Sequence, residues 1–185
     1  MSDNRRFHLG KRPEGVPSAD TFDLREVERP DPAPGEALVR TLYLSVDPYM
    51  RDRMRAGRSY ADPWEVGDPL RGIAVAEVVE ANGAGVDPGQ TVVAELPWAE
   101  YATAGGSDLT PVDTGGLPVS TALGVLGMPG RTAYFGTREV AEPKADDWMV
   151  VSGAAGAVGP VVGQLGGLPG ANVVLRDPAT GARRY

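Results

Sequence analysis

Three glycines at even spacing, Gly153, Gly156 and Gly159, lie in the stretch Val150-Val151-Ser152-Gly153-Ala154-Ala155-Gly156-Ala157-Val158-Gly159. An apolar run precedes them and a helical pattern follows. The stretch therefore reads as a strand that ends in a glycine turn and opens into a helix. Such a turn makes a phosphate site from backbone alone: the glycines let the main chain approach a pyrophosphate, and the free N–H groups of the helix start point at it. The spacing differs from the common G-x-G-x-x-G, so the context carries the reading. A second apolar run, Ala171-Asn172-Val173-Val174-Leu175, completes a strand–helix–strand unit. A glycine-rich turn without a ligand is the alternative.

A dinucleotide fingerprint expects an acidic residue roughly 20 positions after the glycines, on the ribose 2′-OH, and Asp177, 18 after Gly159, lies in about that place. Arg176 stands beside it and would favour a 2′-phosphate instead. Spacing leaves NAD and NADP both open, and a solvated turn would explain both residues. The helix after the turn carries Gly163, Gly166 and Gly167, each expected to cost about 0.8–1 kcal/mol relative to alanine. Pro160 is tolerated only in its first turn.

Composition narrows the chemistry further. The chain has 185 residues, 42% of them apolar, with no cysteine and one histidine, His8. Disulfides, thiolate metal sites and multi-histidine zinc sites are thereby excluded. A net charge of −7 argues against a nucleic-acid backbone as partner. Lys11 and Lys144 are the only lysines among the basic residues, the rest being arginine. That bias suits either a high-salt interior or GC-rich coding. No run approaches the roughly 18–20 apolar residues of a membrane helix, and the first ten residues lack a signal-peptide core. A cytoplasmic protein is the simple expectation.

The elements that must position these residues fall into two parts, 1–116 and 117–185. The first alternates short apolar runs with turns, which predicts a small β-barrel or sandwich. Strands are expected over 36–45, 72–80 and 91–96, with Pro97 ending the third and another over 98–102. Asp47-Pro48-Tyr49-Met50-Arg51 reads as a short helical turn, with Asp47 its cap and Pro48 its first position. His8 is expected on a strand, exposed or half-buried, and Arg51, Trp98 and Tyr101 as structural. The second part begins with a helix over 121–126 capped by Ser120. Pro129-Gly130 is expected to interrupt, and a second helix to run from Thr132 to Val140. The strand 148–151, the glycine turn and a helix over 161–168 follow.

Three blocks carry a family resemblance: Leu44-Ser45-Val46-Asp47-Pro48-Tyr49-Met50-Arg51; Leu123-Gly124-Val125-Leu126-Gly127-Met128-Pro129-Gly130-Arg131-Thr132-Ala133-Tyr134-Phe135-Gly136; and the glycine turn itself. Over residues 1 to about 175 the chain resembles the zinc-independent medium-chain dehydrogenase/reductases. Within them it is similar to the NADP-dependent alkenal/one reductases, also known as leukotriene B4 12-hydroxydehydrogenase/prostaglandin or double-bond reductases. The resemblance implies a GroES-like β-barrel catalytic domain followed by a Rossmann domain, here incomplete. It implies hydride transfer from NADPH to an α,β-unsaturated ketone or aldehyde, without a metal, and a possible homodimer. By position, Tyr49 would lie near nicotinamide and substrate, and Met128 and Thr132 at the nicotinamide end. Gly153, Ala155, Gly156, Ala157, Val158 and Gly159 would line the pyrophosphate turn. Each has a plainer role open to it: Tyr49 as packing beneath the barrel, Met128 as core, Thr132 as a partner of its own helix.

The chain departs from the family pattern at Pro160, where relatives carry serine, and at Gly167, where they keep a lysine. From Arg176 the pattern is lost, and a coding break there is expected. The resemblance places the tyrosine that protonates the enolate beyond that point, so no residue here takes the role. The first Rossmann strand would then have at most one partner and an open edge. Two other readings stay open: a non-catalytic remnant acting as a binding module, and a quinone reductase.

Overall fold

The computed structural model describes residues 3–57, 61–177 and 181–184. The chain forms two compact units, Met1–Val119 and Ser120–Tyr185.

The first unit is built on a five-stranded antiparallel sheet. Its strands are β3 (Glu36–Leu44), β4 (Arg71–Asn82), β5 (Thr91–Pro97), β6 (Tyr101–Gly105) and β7 (Thr110–Pro111), in the order β6-β3-β4-β5-β7. The alternating runs seen in the sequence are these strands. Pro97 ends β5 from inside, and the fourth strand starts at Tyr101 rather than Trp98. At the centre of the sheet alternation gives way: Ala74, Val75 and Ala76 are all fully buried, as a central strand covered on both faces requires. Register shifts between Leu38 and Val39 and between Thr41 and Tyr43 bend β3 against β4. Such bulges curl a sheet around its core. That core holds Val39, Ala74, Val78, Val92, Leu96 and Ala102 among others.

A hairpin of β1 (Asn4–Leu9) and β2 (Phe22–Val27) covers one side. It is stitched on by Phe7 N–H to Trp98 O at 2.9 Å, Leu70 N–H to Phe7 O at 3.0 Å and Leu9 N–H to Asp68 O at 2.9 Å. The Asn4 side chain brackets Tyr101, donating from Nδ2 to its carbonyl and accepting its N–H, both at 3.0 Å. A second core cluster of Leu9, Met50, Met54, Trp64 and Leu70 forms beneath, with Phe22, Tyr49 and Trp98 packed against it. His8 is buried at 4% exposure, so the expectation of an exposed or half-buried side chain fails. Arg6 Nε donates to its Nε2 at 3.0 Å, which leaves the proton on Nδ1, 2.7 Å from Gly67 O. Both ring nitrogens are thereby satisfied, which is what permits the burial.

In the second unit, a 3-10 turn over Val119–Leu123 replaces the helix expected there. Helix α2 (Met128–Phe135) starts at, rather than after, Pro129-Gly130: proline in the first turn costs no hydrogen bond. Its axis continues as a π-helix over Gly136–Ala141. Strand β8 (Trp148–Ser152), helix α3 (Gly159–Gly167) and strand β9 (Asn172–Asp177) form the strand–helix–strand unit, with β8 and β9 parallel. Strand β10 (Gly181–Arg184) adds antiparallel to β9, giving the order β10-β9-β8 and leaving β8 at an edge of that sheet. The first unit thus has the curled antiparallel sheet expected of a GroES-like domain, and the second the strand–helix–strand start expected of a Rossmann domain. No helix among the described residues is long and apolar enough to cross a membrane.

Candidate functional site

The glycine turn sits between β8 and α3 as its sequence requires. Gly153 adopts φ +62, the left-handed region that favours glycine. A Cβ at Gly159 would lie 2.6 Å from Ala154 Cα and 2.8 Å from Gly153 O, so no side chain fits there. The turn is drawn together by Gly156 N–H to Gly153 O at 3.0 Å, and Ala154 N–H to Arg176 O at 3.3 Å. The N–H groups of Ala155, Ala157 and Val158 take no part in these bonds. Ala155, Gly156 and Ala157 are exposed, Val158 is half-buried, and Ala154 and Gly159 are buried. The result is an exposed backbone turn at a helix N-terminus, a position whose N–H groups suit an anion.

Register places Arg176 beside this turn: Ser152 on β8 aligns with Arg176 on β9. Arg176 is exposed. Asp177 ends β9, so it continues the strand rather than starting a turn, and its side chain lies outside the described residues. Met128 and Thr132 are one turn apart on α2 and both exposed. Positions i and i+4 share a helix face, so these two stand together. Met128 is not core, since its side chain faces out at the start of the helix.

Tyr49 belongs to the first unit and opens α1 (Tyr49–Arg53), a helix of one turn after β3. It is half-buried against the second core cluster. The cap differs from expectation. Pro48 is the N-cap residue, and Asp47 gives its carbonyl to Met50 N–H at 3.0 Å while its carboxylate caps nothing. Asp47 Oδ2 and Arg51 Nη1 are both buried without a hydrogen-bond partner.

A groove of ≈ 490 Å³ on the first unit is lined by Phe7, Leu24, Leu44 and Trp98, with Arg5 and Glu100 at its rim. Phe7 meets Trp98 edge-on and Phe22 stacks on it. Arg5 pairs with Glu100 at 2.6 Å, and its hydrogen bond holds the Glu100 carboxyl below the usual glutamate range. None of the site candidates read from the sequence lines this groove; Trp98, expected to be structural, does. Its walls come from strands distant in sequence, β1 and β2 among them, which no local pattern brings together. Among the described residues no group of histidine and carboxylate side chains is placed to hold a metal ion.

Comparison with known proteins places this architecture. Residues 5–112 match the family described as the N-terminal domain of oxidoreductase, and the chain belongs to that family. It is 42% identical over 171 residues to the NADPH-dependent curcumin reductase of Escherichia coli (strain K12), covering 92% of this chain and 50% of that protein. It is 41% identical over 177 residues to prostaglandin reductase 1 of Mus musculus, covering 94% and 52%. The crystal structure of CurA from Vibrio vulnificus in complex with NADPH superposes with a TM-score of 0.87 at 41% identity, covering 94% of this chain and 51% of that one. The chain thus spans about half the length of the relatives it matches, and its fold is that of the medium-chain dehydrogenase/reductases.

Proposed function

We propose that this chain carries the catalytic domain and the pyrophosphate-binding part of an NADP(H)-dependent reductase acting on the C=C bond of α,β-unsaturated ketones or aldehydes. The observation that carries the reading is the turn at Gly153–Gly159, where the backbone leaves no room for a side chain at Gly159 and presents an open face. The names of the relatives support the class of cofactor and of substrate.

When bound, the nicotinamide nucleotide would supply a hydride to the β-carbon, while a proton from outside the residues assigned here completes reduction at the α-carbon. The chain's own residues bind and orient. Ala155, Gly156, Ala157 and Val158 would hold the pyrophosphate against the first turn of α3. Arg176, aligned with Ser152, would face the 2′-phosphate, and a guanidinium there favours NADP over NAD. Met128 and Thr132 would border the nicotinamide end. Tyr49 would place its phenol at the substrate, in a site kept dry enough for a hydrogen bond to a developing enolate to count.

Titration of the 185-residue chain with NADPH, followed by fluorescence, and addition of an enone afterwards tests this. Saturable binding and enone-dependent NADPH oxidation are expected. An equal or greater rate with a quinone would move the chain to the quinone reductases. The alternative is a non-catalytic chain acting at most as a binding module. Binding without oxidation would select it.

A further inference from the structure

Two arginines join α1 to the loop after β1, each reaching into the other's backbone. From the helix, Arg51 donates from Nε to Gly15 O at 2.9 Å, and from Nη2 to the carbonyls of Pro13 and Gly15 at 2.9 and 2.7 Å. From the loop, Arg12 donates from Nη1 to Met54 O, the C-cap of α1, at 3.3 Å, and pairs with Glu65 at 2.8 Å. Pro13 is buried between these contacts in sequence.

The arrangement is costly in the terms that govern arginine. Arg51 spends its bonds on neutral carbonyls, forms no ion pair among the described residues, and keeps Nη1 buried without a partner. A half-buried guanidinium without a counter-ion contributes little net stability. What it contributes is geometry. Its donors lie in one rigid plane, so bonds to carbonyls two residues apart fix both the height and the rotation of the helix that bears it. The helix needs that. Five residues are too few to hold a helix by propagation, and no side chain caps its N-terminus. Tyr49 is the first residue of the same single turn, two positions before Arg51.

We propose that Arg51 is the positioning residue of the substrate site, setting the place of the Tyr49 ring through the clamp on Pro13 and Gly15. This rests on the reading that Tyr49 faces substrate. The test labels the full chain with 3-fluorotyrosine, assigns the Tyr49 resonance with Tyr49→Phe, and compares Arg51→Met, Arg51→Lys and the exposed Arg55→Met. In Arg51→Met the Tyr49 resonance is expected to broaden or split, and to sharpen again on adding methylguanidinium. Enone turnover should fall about tenfold to a hundredfold through kcat, with NADPH affinity unchanged, since the glycine turn belongs to the other unit. Arg55→Met should match the wild type in both.

A wild-type resonance together with wild-type turnover in Arg51→Met would overturn the proposal. If that variant does not fold, Arg51→Lys, which keeps the charge and loses the fork, decides in the same way. A wild-type chain that neither binds NADPH nor oxidises it with an enone would sink the functional reading. The fluorine resonance would still decide the clamp.

Discussion

The two units solve the burial problem in opposite ways. The first buries large side chains: Leu9, Leu38, Met50, Leu70 and Leu96 are all fully enclosed. Apart from Val151 and Val173, the second buries small residues, such as Ala133, Gly159, Gly163 and Gly166, and it leaves Phe135, Val140, Trp148, Val150 and Leu168 exposed by half or more. Trp148 and Val150 lie on one face of β8, at 64% and 66% exposure. Apolar area removed from water is the main source of stability. The first unit therefore holds most of the stability in the described residues, while the second is shaped for backbone approach.

The largest effect should come from the first unit. Leu70→Ala, at a position with 0% exposure, is expected to cost about 2–5 kcal/mol. Val150→Ala in the second unit should change stability by no more than about 0.5 kcal/mol. Urea unfolding of both variants measures the difference, and equal losses would break the contrast.

Gly159→Ala comes next. Its Cβ would press on Ala154 Cα and Gly153 O, which do not yield as a flexible side chain would. A loss of about 1–3 kcal/mol is expected, confined to the second unit, and NADPH titration should show weakened binding. Hydrogen exchange resolved by segment would show whether the first unit stays protected, as the comparison demands.

Gly167→Ala should go the other way. Nothing lies within 4 Å of its Cβ position and the residue is helical and exposed. A gain of up to about 1 kcal/mol is expected, read as a rise in the thermal midpoint of the second unit.

The smallest effect belongs to the surface pair Arg5–Glu100. The Arg5 hydrogen bond lowers the Glu100 carboxyl in the folded state, so its contribution is present above the unfolded-state value and disappears as pH falls through the folded one. Glu100→Gln should flatten that part of the acid limb of a stability–pH curve, and added salt should mimic the change. An unaltered acid limb would remove the pair from the account.

Much of the first unit was legible because a half-solvated strand writes its alternation into the sequence. The spans around Leu38 and Val93 were found that way, and the span around Val75 as a short apolar run between turns. The β1–β2 hairpin was not, since Asn4, Arg6 and His8 break the apolar pattern. Their polar groups are satisfied by Tyr101, by the His8 ring and by Gly67, partners that no local pattern reveals. The glycine turn was visible because its backbone demands are local, as at Gly153 and Gly159. The glycines of α3 were read from the sequence only as a cost in helix propensity, and their packing was not visible there. At Gly163 and Gly166 a Cβ would meet Leu175 and Met149 at 2.9 and 1.9 Å, so their absence lets the helix lie close on the sheet. Only Gly167 has no such return. The Arg51 clamp was hidden for the same reason as the hairpin: its acceptors are backbone carbonyls, which every residue type supplies.

The bracket between Asn4 and Tyr101 has a kinetic meaning. It joins positions 97 residues apart, and closing so long a loop must precede the bonds that reward it. During synthesis β1 can pair with β2 as soon as their hairpin has emerged. The hairpin must still wait for the segment from Leu70 to Tyr101 before it can dock, so its attachment is among the last steps in the assembly of the first unit.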